Sequence, residues 1–140
     1  MVLTVDIGNT NIVLGVFDGD KLTLSARIST DKSRTSDEYS VMLKGIFEIN
    51  GLDLSRFEGI ILSSVVPQLN EVMCRALSRF TAVRVLTVGP GLRTGFQILA
   101  DDPTELGADQ VCNVAGALTE FAGPLVIADS GTATTLTVVN

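Results

Sequence analysis

The chain contains no histidine among its 140 residues. That absence excludes a Ser-His-Asp triad and any histidine metal ligand. General-base chemistry is left to a carboxylate, a lysine, a tyrosine or a cysteine. Cysteine is almost as scarce. Cys74 and Cys112 are far apart in sequence, and each falls in a helical pattern. Two such thiols are expected to be buried and unbridged. Basic residues are also in deficit. Ten Lys and Arg stand against sixteen Asp and Glu, for a net charge of -6. This balance argues against a sequence-independent nucleic-acid binder and against docking on an anionic membrane. No apolar run approaches the roughly 20 residues that a spanning helix needs. A secretory signal is not expected, because Asp6 interrupts the apolar start and no basic segment precedes it.

What remains is a globular composition, 46% hydrophobic and 19% charged, sized for at most one ordinary domain. Strands are predicted at Val2 to Val5, Ile12 to Phe17 and Lys21 to Ile28, with Asp18-Gly19-Asp20 as a hairpin turn. The third strand alternates through Leu22, Leu24 and Ala26. Thr35 with Glu38 three residues on is a capping box. The helix it opens carries Tyr39, Met42, Leu43, Ile46 and Phe47 on one face, and Gly51 ends it. Ile60 to Val66 reads as a buried strand, and Pro67 suits the first helical turn that follows. Leu69, Val72, Met73, Ala76, Leu77 and Phe80 form that helix's apolar face. Val83 to Val88 is a further strand. A helix is expected roughly from Thr104 to Ala122, with Val111, Val114, Ala115, Leu118 and Phe121 inward and Gly123-Pro124 as its stop. Leu125 to Ala128 and Thr134 to Val139 close the pattern as strands around an Asp129-Ser130-Gly131-Thr132 turn.

The order is β-β-β-α-β-α-β, then a helix and a hairpin. It implies an α/β fold with a mixed sheet. Residues 1–102 are expected to form a first lobe, 103–123 a crossing helix, and 124–140 the opening of a second lobe, in a chain cut from a longer protein.

Two stretches repeat. Val5-Asp6-Ile7-Gly8-Asn9-Thr10-Asn11 matches Ala128-Asp129-Ser130-Gly131-Thr132-Ala133-Thr134. Each is an Asp-x-Gly followed by small polar residues between two strands. One such turn is ordinarily just a hairpin. Two in matching contexts suggest related lobes facing each other. Glycine allows backbone amides to approach a phosphate, successive amides can form an anion nest, and an aspartate can hold the neutralising cation.

This arrangement resembles the actin–hexokinase–Hsp70 superfamily, whose lobes are ribonuclease-H-like. DIGNTN at Asp6, RTSDEY at Arg34, SSVVP at Ser63, DPTELGAD at Asp102 and DSGTATT at Asp129 resemble, in order and along the whole chain, the motifs of type III pantothenate kinases. The resemblance implies transfer of the ATP γ-phosphate to pantothenate, the first step of coenzyme A synthesis, by a cytoplasmic homodimer that binds neither nucleic acid nor membrane. It implies that Asp109 is the general base, although an aspartate early in a helix is also favoured by the dipole alone. Asp6, Ile7, Gly8, Asn9, Thr10, Asn11, Ile12, Val13 and Thr132 would then contact ATP, with Asp6 acting through Mg2+. Asp129 would hold a monovalent cation, K+ or NH4+. Ala100, Gly107, Ala108, Asp109 and Gln110 would contact pantothenate. Two positions depart from the family pattern. Gln110 stands where the family has arginine, and Ala100 where it commonly has tyrosine. Both fall on the pantothenate side. They keep open a related small-alcohol kinase, or a nucleotide-binding regulatory relative that is catalytically weak.

Overall fold

A computed structural model describes residues 1–99, 106–131 and 133–140. The described chain divides into two compact units, Met1–Thr87 and Val88–Asn140.

The first unit is built on a five-stranded sheet. Its strands are β1 (Val2–Ile7), β2 (Asn11–Asp18), β3 (Lys21–Ser29), β4 (Gly59–Ser64) and β5 (Val85–Thr87), in the spatial order β3-β2-β1-β4-β5. The pairs β1–β2 and β2–β3 are antiparallel, whereas β1–β4 and β4–β5 are parallel. The tight Asp18-Gly19-Asp20 turn makes the antiparallel connection, with Gly19 at φ 59. The parallel connections run through helices, as crossover geometry requires. These are α1 (Ser36–Ile49) and α2 (Asn70–Ser78).

Both ends of α1 are fixed by its sequence. Thr35 Oγ1 accepts the Glu38 N–H, and Glu38 Oε2 accepts the Thr35 N–H at 2.8 Å. At the other end Gly51 adopts φ 65, its N–H bonds Glu48 O, and the Leu52 N–H bonds Phe47 O. This pair of bonds is a Schellman stop. The helix buries Tyr39, Leu43 and Phe47. Phe47 packs edge-on against Phe57 and Phe80 at 5.8 Å each. Beneath lie Leu3, Val5 and Ile7 of β1, Ile12, Leu14 and Val16 of β2, and Ile60 and Leu62 of β4. Met73, Ala76 and Leu77 of α2 complete the core. Ser40 Oγ bridges the two helices by donating to Ala76 O at 3.2 Å.

Three details differ from expectation. Pro67 opens a short 3-10 turn, Pro67–Leu69, and α2 begins only at Asn70. Leu22 does not share a face with Leu24. The register slips between Val16 and Phe17, so Leu24 pairs with Val16 on the core side but Leu22 pairs with Phe17. That bulge turns Leu22 to the other face, where it is 49% exposed. The cysteines are half-buried, not buried.

The second unit holds α3 (Ala108–Glu120) and an antiparallel hairpin of β6 (Leu125–Ser130) and β7 (Thr134–Val139). The helix begins later than the expected Thr104. Gly107 is its cap residue, and Thr104 lies outside the described residues. Of the expected inward residues only Val114 is buried, while Ala115 and Phe121 are exposed. A two-stranded sheet has too little surface to cover a helix face. One face of the hairpin is likewise open, with Val126, Leu136 and Val138 all exposed. Among the described residues no helix is long and apolar enough to cross a membrane.

Two predictions follow from this packing. Phe47→Ala removes a fully buried ring and is expected to cost about 3–5 kcal/mol, read as a fall in denaturant midpoint. The Thr35 amide and then the Thr35 hydroxyl hold the Glu38 carboxyl below its ordinary 4.5. A lowered folded value means the stabilisation is present above 4.5 and lost as pH falls through the folded value. Glu38→Gln keeps the cap without the charge. The Tm advantage of the wild type over this variant is expected to shrink on acidification below that point.

Candidate functional site

The chain's polar hairpins sit one in each unit. In the first unit, β1 is bonded on both edges, and its side chains alternate. Leu3, Val5 and Ile7 enter the core, while Asp6 is exposed on the opposite face. Asp6 is the penultimate residue of β1. It pairs with Val13 of β2 and Ser63 of β4. The Ser63 hydroxyl is buried and has no hydrogen-bond partner among the described residues.

The turn itself is tight. The Gly8 N–H donates to Asn11 O at 2.9 Å. A Cβ on Gly8 would lie 3.0 Å from that same oxygen, which explains the glycine by close approach. Gly8 is not at positive φ, and its amide is committed within the turn. The Gly8 amide is therefore not a donor to the expected anion nest. Asn9 and Thr10 are exposed, and Asn11 is half-buried. Ile7 and Ile12 are fully buried in the core, so only their backbone can meet a ligand, and Val13 is half-buried.

Thr30, which sequence reasoning missed, clamps this turn. Its Oγ1 donates to Gly8 O at 2.7 Å, and its N–H donates to Thr10 O at 2.9 Å. The available signal was the strand register, since Asn11 pairs with Ser29 just before it. Asp31 then accepts from the Ser33 hydroxyl and amide and from Arg34 Nε. The Ser33 bonds, first the hydroxyl's, hold the Asp31 carboxyl below its usual range, and Arg34 adds to the effect. The conspicuous Arg34 is thus engaged within its own loop, with Met42 Sδ 2.8 Å from Nη1.

In the second unit, Asp129 occupies the place that Asp6 has in the first. It is the penultimate residue of β6, paired with Thr135, and Ser130 pairs with Thr134. The Gly131 N–H bonds Ala133 O at 3.0 Å. Residues 131–133 lie between the last pair here, against 8–11 in the first hairpin, so the second turn is one residue shorter. Asp129 and Ser130 lie in the strand and not in the turn. Thr132 and Ala100 fall outside the described residues.

Asp109 stands in the first turn of α3, and its Oδ1 accepts the Gln110 N–H at 2.8 Å. Gln110 reaches back: its Oε1 accepts the Gly107 N–H at 3.3 Å. Gly107, Ala108, Asp109 and Gln110 are all half-buried. Asn113, one helical turn beyond Asp109, donates from Nδ2 to Asp129 Oδ2 at 2.8 Å. Spacing from Asp109 was the signal that could have found it. A cavity of about 610 Å3 opens beside this helix, lined by Phe96, Ile98, Leu106, Gln110, Val114 and Val138 among others. No group of three or more Cys, Asp and Glu poised for a metal occurs among the described residues.

A mixed five-stranded sheet in the order β3-β2-β1-β4-β5, with two antiparallel and two parallel strand pairs, defines an α/β protein with a ribonuclease-H-like sheet. The profile of the type III pantothenate kinase family matches residues 2–140, and the chain belongs to that family. It is 48% identical to the type III pantothenate kinase of Pelobacter propionicus and 45% identical to that of Geobacter sulfurreducens. In both cases the match covers 100% of this chain and 55% of the relative. The chain therefore spans about half the length of the curated relatives it matches. Among solved structures, the ROK hexokinase from Thermus thermophilus is similar over 61% of this chain and 34% of its own, at 22% identity and a TM-score of 0.46.

The Thr30 clamp gives a direct prediction. Thr30→Val removes the bond to Gly8 O and is expected to cost about 0.5–1.5 kcal/mol. Amide hydrogen exchange at residues 8–11 is expected to accelerate more than exchange in α1.

Proposed function

We propose that the full-length protein is an ATP-dependent kinase that phosphorylates pantothenate. One observation carries this reading: the family profile runs the length of the chain and takes in both Asp-x-Gly hairpins, whose aspartates hold the same register position. In this reading residues 1–102 form the first lobe of an actin-like fold, 103–123 the crossing helix and 124–140 the start of the second lobe.

Asp6, Gly8, Asn9, Thr10 and Asn11 would face the ATP phosphates, with Ile7, Ile12 and Val13 contributing backbone and Thr132 a further contact. An exposed carboxylate at its strand end suits Mg2+, which takes most of its ligands from phosphate and water. Asp129 would hold K+ or NH4+, a role that a half-buried carboxylate with one oxygen engaged by an amide can fill. These ions would neutralise charge on the phosphates. Asp109 would accept the proton of the pantothenate hydroxyl. A carboxylate is a sufficient base there, because phosphoryl transfer passes through a loose transition state. Gly107, Ala108, Gln110 and Ala100 would border the substrate. The apolar cavity beside Gln110 has a volume in the range of small-molecule sites. The cytoplasmic homodimer belongs to this reading through the family resemblance alone.

Gln110 favours a second reading. Its carbonyl oxygen is engaged in capping α3, and an amide offers a carboxylate no charge. A kinase acting on a related small alcohol without a carboxylate accommodates this better. Titration calorimetry of the full-length protein with pantothenate and a non-hydrolysable ATP analogue tests the choice. Heat from both ligands supports pantothenate, heat from the nucleotide alone favours the second reading, and no heat from either refutes both. Asp109→Asn is expected to lower kcat by about 10²–10⁴-fold while leaving the affinity for the nucleotide analogue unchanged.

A further inference from the structure

Asn113 is a half-buried polar side chain of α3 that bonds the second hairpin. It lies four residues beyond Asp109, on the same side of α3. Its Nδ2 donates to Asp129 Oδ2 at 2.8 Å. Both residues are half-buried, where such a bond is less easily replaced by water. The donor is necessarily the amide nitrogen, since an ionised carboxylate only accepts. The bond uses one carboxylate oxygen and adds no charge. A lysine in its place would neutralise Asp129 and repel a cation, and an alanine would leave the carboxylate free to rotate.

We propose that Asn113 is a positioning residue for cation binding: it fixes the orientation of the Asp129 carboxylate and ties that carboxylate to the helix that bears Asp109. The inference rests on the reading of Asp129 as a monovalent-cation ligand, and it adds a residue that the hairpin motif does not contain. It makes the cation affinity of the protein depend on a helix residue, and it couples the cation's carboxylate mechanically to the α3 N-terminus.

Equilibrium dialysis of the full-length protein against thallium(I), a stand-in for K+, tests this without any turnover. Asn113→Ala is expected to raise the thallium Kd about 10–100-fold, the usual cost of losing a partner that orients a ligand. Asn113→Leu preserves the side chain's size and is expected to do the same, which separates the lost hydrogen bond from lost packing. In a parallel turnover assay, both variants are expected to need more K+ for half-maximal rate and to recover at saturating K+. A general structural defect would not be rescued by the ion. Unchanged thallium affinity in both variants overturns the proposal, as does a wild type that binds no thallium. Thallium binding without pantothenate phosphorylation would instead refute the proposed function and leave Asn113's role standing. Phosphorylation without thallium binding would do the reverse.

Discussion

The structure of the first unit depends on β1 being bonded along both edges. It pairs antiparallel with β2 and parallel with β4, residue for residue from Val2 to Ile7. A strand held on both sides cannot slip, because a one-residue shift would drive Leu3, Val5 and Ile7 out of the core and bury Asp6. The hydrophobic pattern of β1 therefore fixes where its carboxylate stands. Burial of three apolar side chains on one face, worth on the order of 1.5–3 kcal/mol each, is what holds a single charged group at the strand's far end on the other. The hairpin beyond inherits that precision. Gly8 closes it at a distance where a Cβ would crowd Asn11 O, and Thr30 latches it from just past β3.

The second hairpin repeats the logic with less support. Asp129 has the register position of Asp6, but β6 is bonded only to β7 among the described residues. Its carboxylate accepts from a side chain of the helix, Asn113 Nδ2. Through Asn113, α3 does more than carry Asp109: it is bonded to the second hairpin. It also gives Gln110 a local purpose. The residue that departs from the family pattern folds back onto Gly107 and caps the helix on which Asp109 and Asn113 both ride.

Much of the fold was legible in the sequence. The α1 boundaries followed from Thr35, Glu38 and Gly51, because caps are local chemistry. The Asp-x-Gly repeat was visible because each copy sits between two short apolar runs. What escaped was decided by tertiary context. Leu22 obeyed its alternation on paper, yet a bulge opposite it turned the side chain over. The apolar positions of α3 read as a buried face, but only Val114 finds cover. The glycine amides were expected to face an anion and instead close their own turns. Thr30 and Asn113 act across strand pairing and across a helix–sheet contact, which no single-segment motif encodes.

The proposed function is transfer of phosphate from ATP to pantothenate. Phosphorus NMR of the full-length protein with ATP, Mg2+, K+ and pantothenate tests it most directly. A new phosphomonoester resonance that grows with ADP and requires pantothenate is expected. Inorganic phosphate alone, or no change in the ATP resonances, would contradict it.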